Sequence, residues 1–424
     1  MKRSVVVAFL CLGTFPPGAF AAEFAATGKI SSSVAASDNY FLTDSPSGYT
    51  VRPQSNIDLD FLALTPTARY SLDSNIGYYK YLGPGAKDTQ LSWGTPAGST
   101  FSADFYRPSA KYNFQAQWSR SDVATTLLQQ TGTATGRGSI DNYKASAGAT
   151  RDFNAVDSGI WGGNISTASY SDPNQSPYID YATNLGWNHK MSPSTTLLAS
   201  VNFDWLAVDN PQDSQRLFWN PAVSLQSHLT KRLFLNATVG GAFVNAYQHG
   251  LIAPGAGAGT FQQQAGASVD WVANAVLSYN WLKDTRVSFT AVRSITPTVL
   301  GQLEKVESLG ANVNYGINHS DNLNLYTQFS HNSSIGVTST QSDAFTASAS
   351  YQHQIAREWL SSLAYSYSQR SDQSGIARSN TVTLTLTHDF TLFGKPSRAV
   401  PKTASELARE DLQRAQLVLP TITP

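Results

Sequence analysis

Histidine is the side chain best suited to hold a metal or move a proton near neutral pH, yet the seven histidines here are not spaced for either task. His189, His228, His249, His319, His331, His353 and His388 are scattered among strand ends and loops, without a His-Glu-x-x-His pattern or another metal-binding spacing. Residues 132–139 (GTATGRGS) resemble a phosphate loop but lack the lysine at the required place and the strand-to-helix setting. Residues 253–259 (APGAGAG) are glycine-rich in the same unspecific way and read as a loop. A serine hydrolase triad is recognised by geometry and not by spacing, so the abundant serines leave that possibility open. Nothing else looks catalytic, and the expectation is a chain that is not an enzyme and carries no metal and no cofactor.

The informative charges are those placed by a period of two. When the aromatic and aliphatic positions are given outward parity, Asp58, Asp60, Asp73, Asp104, Asp180, Asp204 and Asp270 fall on the opposite face, against Lys111, Lys144, Lys190, Arg216 and Arg286. A lipid-facing Lys or Arg at mid-membrane costs roughly 2–4 kcal/mol, so these charges are expected to line a wet lumen. Two readings stand side by side: carboxylates that pair with the bases and solvate the interior, or a mildly acidic lumen rich in Asn, Gln and Ser, suited to neutral carbohydrate or to cations. Tyr79 and Tyr106 are expected inside, where their rings could stack on sugars. Most of the Trp and Tyr residues belong to interfacial belts.

The elements that position these charges are strands. Leu217, Trp219, Val223 and Leu225 alternate with Arg216, Asn220, Ser224 and Gln226. Leu197, Ala199, Val201, Phe203 and Trp205 do the same against Ser200, Asn202 and Asp204, and Leu233 to Phe243 repeat it again. Each run is about the nine to eleven residues of a tilted membrane strand. Tight turns near residues 65–68, 107–109, 152–155, 192–194, 230–231, 283–284, 318–321 and 356–358 alternate with longer links, the largest at 38–53, 82–98, 122–138, 247–262 and 332–342. Short turns belong on the periplasmic side and long loops outside. The expectation is an all-β fold, a transmembrane antiparallel up-and-down barrel of about 18 (16–18) strands with both termini periplasmic. Trp205, Trp219 and Trp271 should face lipid. Arg should be costly at Val201 or Val223 and tolerated at Asn202 or Ser224.

Composition agrees. Charged residues make up 14% and aromatics 11%, where a typical soluble protein has about 25% charged residues. Zero net charge and a pI of about 7.1 give no electrostatic reason to expect nucleic acid. Lys2 and Arg3, the apolar run from Val5 to Leu12 and the Ala19-Phe20-Ala21 end read as a secretory signal over residues 1–21. The only cysteine, Cys11, lies within it, and the rest of the chain therefore has no disulfide or thiolate chemistry. The expected barrel covers residues 22–390, and residues 391–424 form a periplasmic tail. In that tail Thr403-Ala404-Ser405-Glu406 reads as a capping box that starts a short helix over about residues 404–417, ended by Pro420.

The segment Asp38-Asn39-Tyr40-Phe41, with the long link to Pro53 and the hairpin series down to the terminal Phe390, resembles the β-barrel porin 2 family over about residues 27–390. That resemblance implies an outer-membrane barrel of a bacterial exopolysaccharide system, similar in strand number to the alginate-export barrel. It implies an export conduit whose partners are a polysaccharide chain, periplasmic export components, and the lipid and lipopolysaccharide of the bacterial outer membrane. No substrate residue carries over from it. A general or sugar-selective uptake porin and a non-conducting structural or adhesive barrel are the alternatives.

Overall fold

A sheet with one apolar and one polar face can meet hydrocarbon and water together, but in lipid it must close so that no edge is left unpaired. The computed structural model describes residues 23–85, 92–123, 138–172, 175–209, 214–247, 266–282, 284–297, 303–335, 341–373 and 375–394, and it closes in this way. The first strands are β1 (Glu23–Ser37), β2 (Thr50–Leu64), β3 (Ala68–Tyr79), β4 (Ser92–Arg107), β5 (Ala110–Asp122) and β6 (Ser139–Asp152). Then come β7 (Asp157–Tyr170), β8 (Tyr178–Ser192), β9 (Thr195–Val208), β10 (Ser214–His228), β11 (Leu233–Tyr247) and β12 (Gly266–Leu282). The series ends with β13 (Thr285–Pro297), β14 (Leu303–Gly316), β15 (Asp321–Ile335), β16 (Gln341–Ala356), β17 (Trp359–Asp372) and β18 (Gly375–Phe393). Each strand pairs antiparallel with its neighbours in sequence, and β1 also pairs with β18, so the 18-stranded sheet has no free edge.

Links of two to four residues join strands at the end that also carries both ends of the barrel chain, Glu23 and Phe393. Four of these turns share one device, in which the side chain of the first residue accepts the backbone N–H three residues on. Thr65 Oγ1 takes Ala68 N at 2.9 Å, Asn154 Oδ1 takes Asp157 N at 2.8 Å, Thr230 Oγ1 takes Leu233 N at 3.0 Å and Asn318 Oδ1 takes Asp321 N at 3.0 Å. The opposite end carries the longest links, 38–49, 80–91, 123–138 and 248–265.

The outward face is an apolar belt. Val269 is 71% exposed, Leu309 63% and Val239 60%, in company with Phe114, Leu325, Leu363 and Leu384. Water is a poor partner for contiguous apolar surface of this extent, whereas a hydrocarbon slab matches it. Trp205 and Trp271 lie exposed in this belt, and Trp219 stacks on Phe243 with ring centroids 4.1 Å apart.

Several expected boundaries move. Residues 82–98 read as one loop, but β4 begins at Ser92. Pro96 and Gly98 are tolerated in it because the β3–β4 register shifts between Ile76 and Tyr78, and because the amide of Asn75 occupies the space where a Cβ on Gly98 would stand. The last strand continues past Phe390 to Phe393. At the closing seam Gly28 pairs with Phe390, whose ring lies where a Gly28 Cβ would be. The expected signal over residues 1–21 and the tail helix over 404–417 lie outside the described residues.

Three outcomes test this frame. Val223→Arg, in the belt, should lower unfolding stability in lipid vesicles by roughly 2–4 kcal/mol, whereas Asn202→Arg on the opposite face should stay close to wild type in the same urea titration. Arg at Ser224 should not be neutral, contrary to the simple alternation rule, because Ser224 is buried and bonded to Thr238 at 2.7 Å. At the seam, Gly28→Val should lower the temperature at which the folded band is lost in semi-native electrophoresis. Adding Phe390→Ala should restore part of the loss, and a double variant no better than Gly28→Val would show that the ring and the glycine are uncoupled.

Candidate functional site: the inner face of the barrel

Alternation along the strands sets which side chains share the inner face, and cross-strand register sets which of them meet. Asp58, Asp60, Asp73, Asp104 and Lys111 gather on β2 to β5 in the half of the barrel nearest the short turns. Asp60 stands directly opposite Asp73. Asp58 faces Lys29, which faces Asp389 on its other side. Asp104 faces Arg69, and Lys111 Nζ lies 3.7 Å from Asp104 Oδ1 and 5.2 Å from the centre of the Tyr106 ring. Lys190 and Arg286 sit at the same end, Arg286 Nε donating to Asn280 Oδ1 at 3.2 Å. Lys144 lies nearer mid-barrel, in register with Gln117 and Ser166.

Toward the long-loop end, Asp180, Leu206 and Arg216 share one cross-strand row, with Asp204 two residues before Leu206. Asp180 is only 8% exposed, beside a buried cluster of Val123, Ile140, Ala168, Tyr178, Leu206 and Val208. Asp270 is engaged at the strand end, where its Oδ1 lies 2.6 Å from Arg293 Nη2, while Arg293 also bonds Glu307 and stacks 4.3 Å from the Trp271 ring. Neither carboxylate is therefore an open lumen charge of the kind expected from its parity. Burial screens the first from the channel and an ion pair neutralises the second.

The least expected feature is the β1–β2 link. Asp38 accepts from Asn380 N at 2.7 Å and from its Nδ2 at 2.6 Å, across the seam. Asn39 Nδ2 donates to Thr43 O at 2.7 Å and to Arg378 O at 2.9 Å, and Leu42 is held at a φ of 49°. Asp44 pairs with the buried Arg370 at 3.3 Å. Tyr40 and Phe41 are thereby pressed against Tyr79, Tyr81 and Arg52, with ring centroids 5.2–5.3 Å apart. The Arg52 guanidinium sits 5.3 Å from the Tyr40 ring and 5.6 Å from the Tyr79 ring, bonds the Tyr40 hydroxyl, and donates to Gln54 Oε1 at 2.7 Å. Tyr79 is on the inner face as expected, but it is 5% exposed beneath this cluster and has no ring face left for a solute. Parity with Ile57, Leu72 and Leu363 would have assigned Arg52, Arg69 and Arg370 to the inner face, as parity with Ile30 would have assigned Lys29.

Asparagine is the other recurrent inner-face residue. Asn56, Asn75, Asn113 and Asn184 each oppose a glycine, Gly77, Gly98, Gly148 and Gly162, and each amide oxygen fills the space of the missing Cβ. The amides lie flat on the wall. No group of three or more metal-ligating side chains occurs among the described residues. Three histidines instead pair singly with a carboxylate at strand ends: His189 with Asp157 at 2.7 Å, His331 with Asp343 at 2.7 Å and His353 with Asp321 at 2.8 Å. His249 lies outside the described residues.

No known family model matches the chain, and no curated protein matches it. Among solved structures, a BenF-like porin from Pseudomonas fluorescens Pf-5 aligns at 12% identity and a TM-score of 0.49, over 87% of this chain and 99% of that one. Pseudomonas aeruginosa OccK2 (OpdF) aligns at 10% identity and 0.48, over 87% and 98%. Acinetobacter baumannii OccAB1 aligns at 14% and 0.47, over 87% and 97%. Overlap at this level identifies neither a relative nor a substrate.

Proposed function

We propose that this chain is a passive pore of the bacterial outer membrane for the uptake of small hydrophilic solutes, with the short turns and both ends of the barrel facing the periplasm. The observation that carries this reading is the inner wall, which is hydrogen-bonding along its length and carries the Tyr40–Phe41 link fastened against it. A polymer in transit needs an unobstructed bore, and a link tied down at Asp38, Asn39 and Asp44 against the inner-face Arg52 and Tyr79 would narrow it, which supports small solutes over the exopolysaccharide export implied by the family resemblance. Outer-membrane lipid and lipopolysaccharide are the partners suited to the apolar belt. Among the described residues, no arrangement on the inner face suggests turnover of a substrate.

Charge is mixed along the axis: toward the periplasmic end Asp58, Asp60, Asp73, Asp104 and Asp389 stand among Lys29, Arg69, Lys111, Lys190 and Arg286, with Asp60 directly opposite Asp73, while Arg52 and Arg370 mark the outer half. Screening beyond about 8 Å at physiological salt keeps selectivity weak. In planar bilayers the protein should conduct steadily with a slight cation preference, and Asp60→Asn with Asp73→Asn should move the reversal potential in a salt gradient toward zero or toward anions. A wild-type anion preference would sink the charge assignment, and a barrel that never conducts would favour the structural or adhesive role. Asp38→Ala with Asn39→Ala should free the link and raise the conductance or its noise. Unchanged currents would show that the link does not narrow the path.

A further inference from the structure

We infer that the inner wall from β7 to β13 holds a binding site for a neutral polyhydroxylated solute of sugar size, an inference that rests on the pore reading above. A cleft of about 390 Å³ opens on this wall, bordered by Asn184, Asn202, Asn220, Asn274, Asp204 and Phe218 among others. That volume falls within the roughly 300–1,000 Å³ of small-molecule sites.

Asn184, Asn202 and Asn220 stand in one cross-strand row on three consecutive strands, which places an amide about every 4.8 Å across the wall, with Asn184 and Asn202 half-buried and Asn220 recessed at 8% exposure. An amide offers two donors and an acceptor without charge, and a sugar hydroxyl needs both. The aromatic face of Phe218 suits the C–H face of a sugar ring, and the Asp204 carboxyl can hydrogen-bond a hydroxyl. What marks this wall as a site is that its amides are unspent. Among the described residues, Asn164, Asn184, Asn202, Asn220 and Asn274 make no side-chain hydrogen bond, and Asn274 Oδ1 is buried without a partner. On β14 and β15 the amides bond each other instead: Asn312 Nδ2 donates to Asn324 Oδ1 at 3.2 Å and Asn322 Nδ2 to Asn314 Oδ1 at 3.4 Å. The two walls thus differ in how their amides are engaged: on β14 and β15 the Nδ2 donors of Asn312 and Asn322 are taken, although Asn322 Oδ1 there is also buried without a partner.

The test is current block of the full-length protein in planar bilayers by glucose and maltose. The wild type should show saturable block by at least one of the two. Asn202→Ser with Asn220→Ser should raise the half-blocking concentration about tenfold, the effect of about one net hydrogen bond lost, with the open-channel conductance retained. Asn312→Ser with Asn324→Ser should leave the block unchanged. Steady conductance without saturable block in the wild type overturns the site while leaving the pore intact, and equal weakening by both pairs overturns it as well. A wild-type barrel that does not conduct defeats the pore reading itself. Should the Asn202/Asn220 variant fail to fold, the wild-type block still decides, joined by Asp204→Asn, which should weaken it.

Discussion

Everything in this molecule depends on the satisfaction of backbone N–H and C=O groups where no water can reach them. An unpaired peptide group in hydrocarbon costs several kcal/mol, so the one tolerable sheet is one whose first and last strands find each other. The β1–β18 pairing runs from Ala26 opposite Phe393 to Ser37 opposite Thr381 with one irregularity near its start. Closure then dictates the rest. A closed sheet has only an inside and an outside, so each strand must alternate, and a one-residue slip would exchange its two faces. The apolar belt and the polar wall are two results of the same requirement.

The polar wall still had to be filled without crowding the bore. Long charged side chains are few, and several of them meet partners, as in the Lys29 row between Asp58 and Asp389 or the Asp104–Lys111 pair. Much of the remaining surface is asparagine. Laying Asn56, Asn75, Asn113 and Asn184 across glycines keeps polar atoms on the wall while projecting little into the lumen. Glycine in a strand is normally unfavourable for want of a side chain to pack, and here the neighbouring amide takes that place.

Much of the architecture was legible in the residues because alternation is local. The strands around Leu217, Val223 and Trp271 announce themselves within ten residues, and the turns at Thr65, Asn154, Thr230 and Asn318 carry their own capping side chains. The beginning of β4 was hidden because Pro96 and Gly98 are loop residues by propensity, and only the bulge opposite Ile76 and Tyr78 explains them. At the inner face, parity found the positions of the charges but not their company. That Asp270 meets Arg293 and that Asp180 is buried are facts of packing between segments distant in sequence. The Asp38-Asn39-Tyr40-Phe41 segment stood out in the sequence as a family motif, while its work of tying the first link to Asn380, Arg378 and Arg52 required the folded seam to be seen.

The contact between Gly28 and Phe390 also bears on how the barrel is made. These residues come from opposite ends of the chain, so the last hairpin must exist before the first strand can find its second neighbour, and every earlier species carries two raw edges open to pairing with another molecule. The ring of Phe390 discriminates between registers at that final step. Shifted by two residues along β1, the smallest step that keeps both faces in place, it would meet Ala26 or Ile30, each of which has a Cβ where Gly28 has none. Closure in the wrong register is thus sterically penalised at the moment when a misaligned barrel would otherwise be sealed, and proofreading of assembly is written into a single missing methyl group.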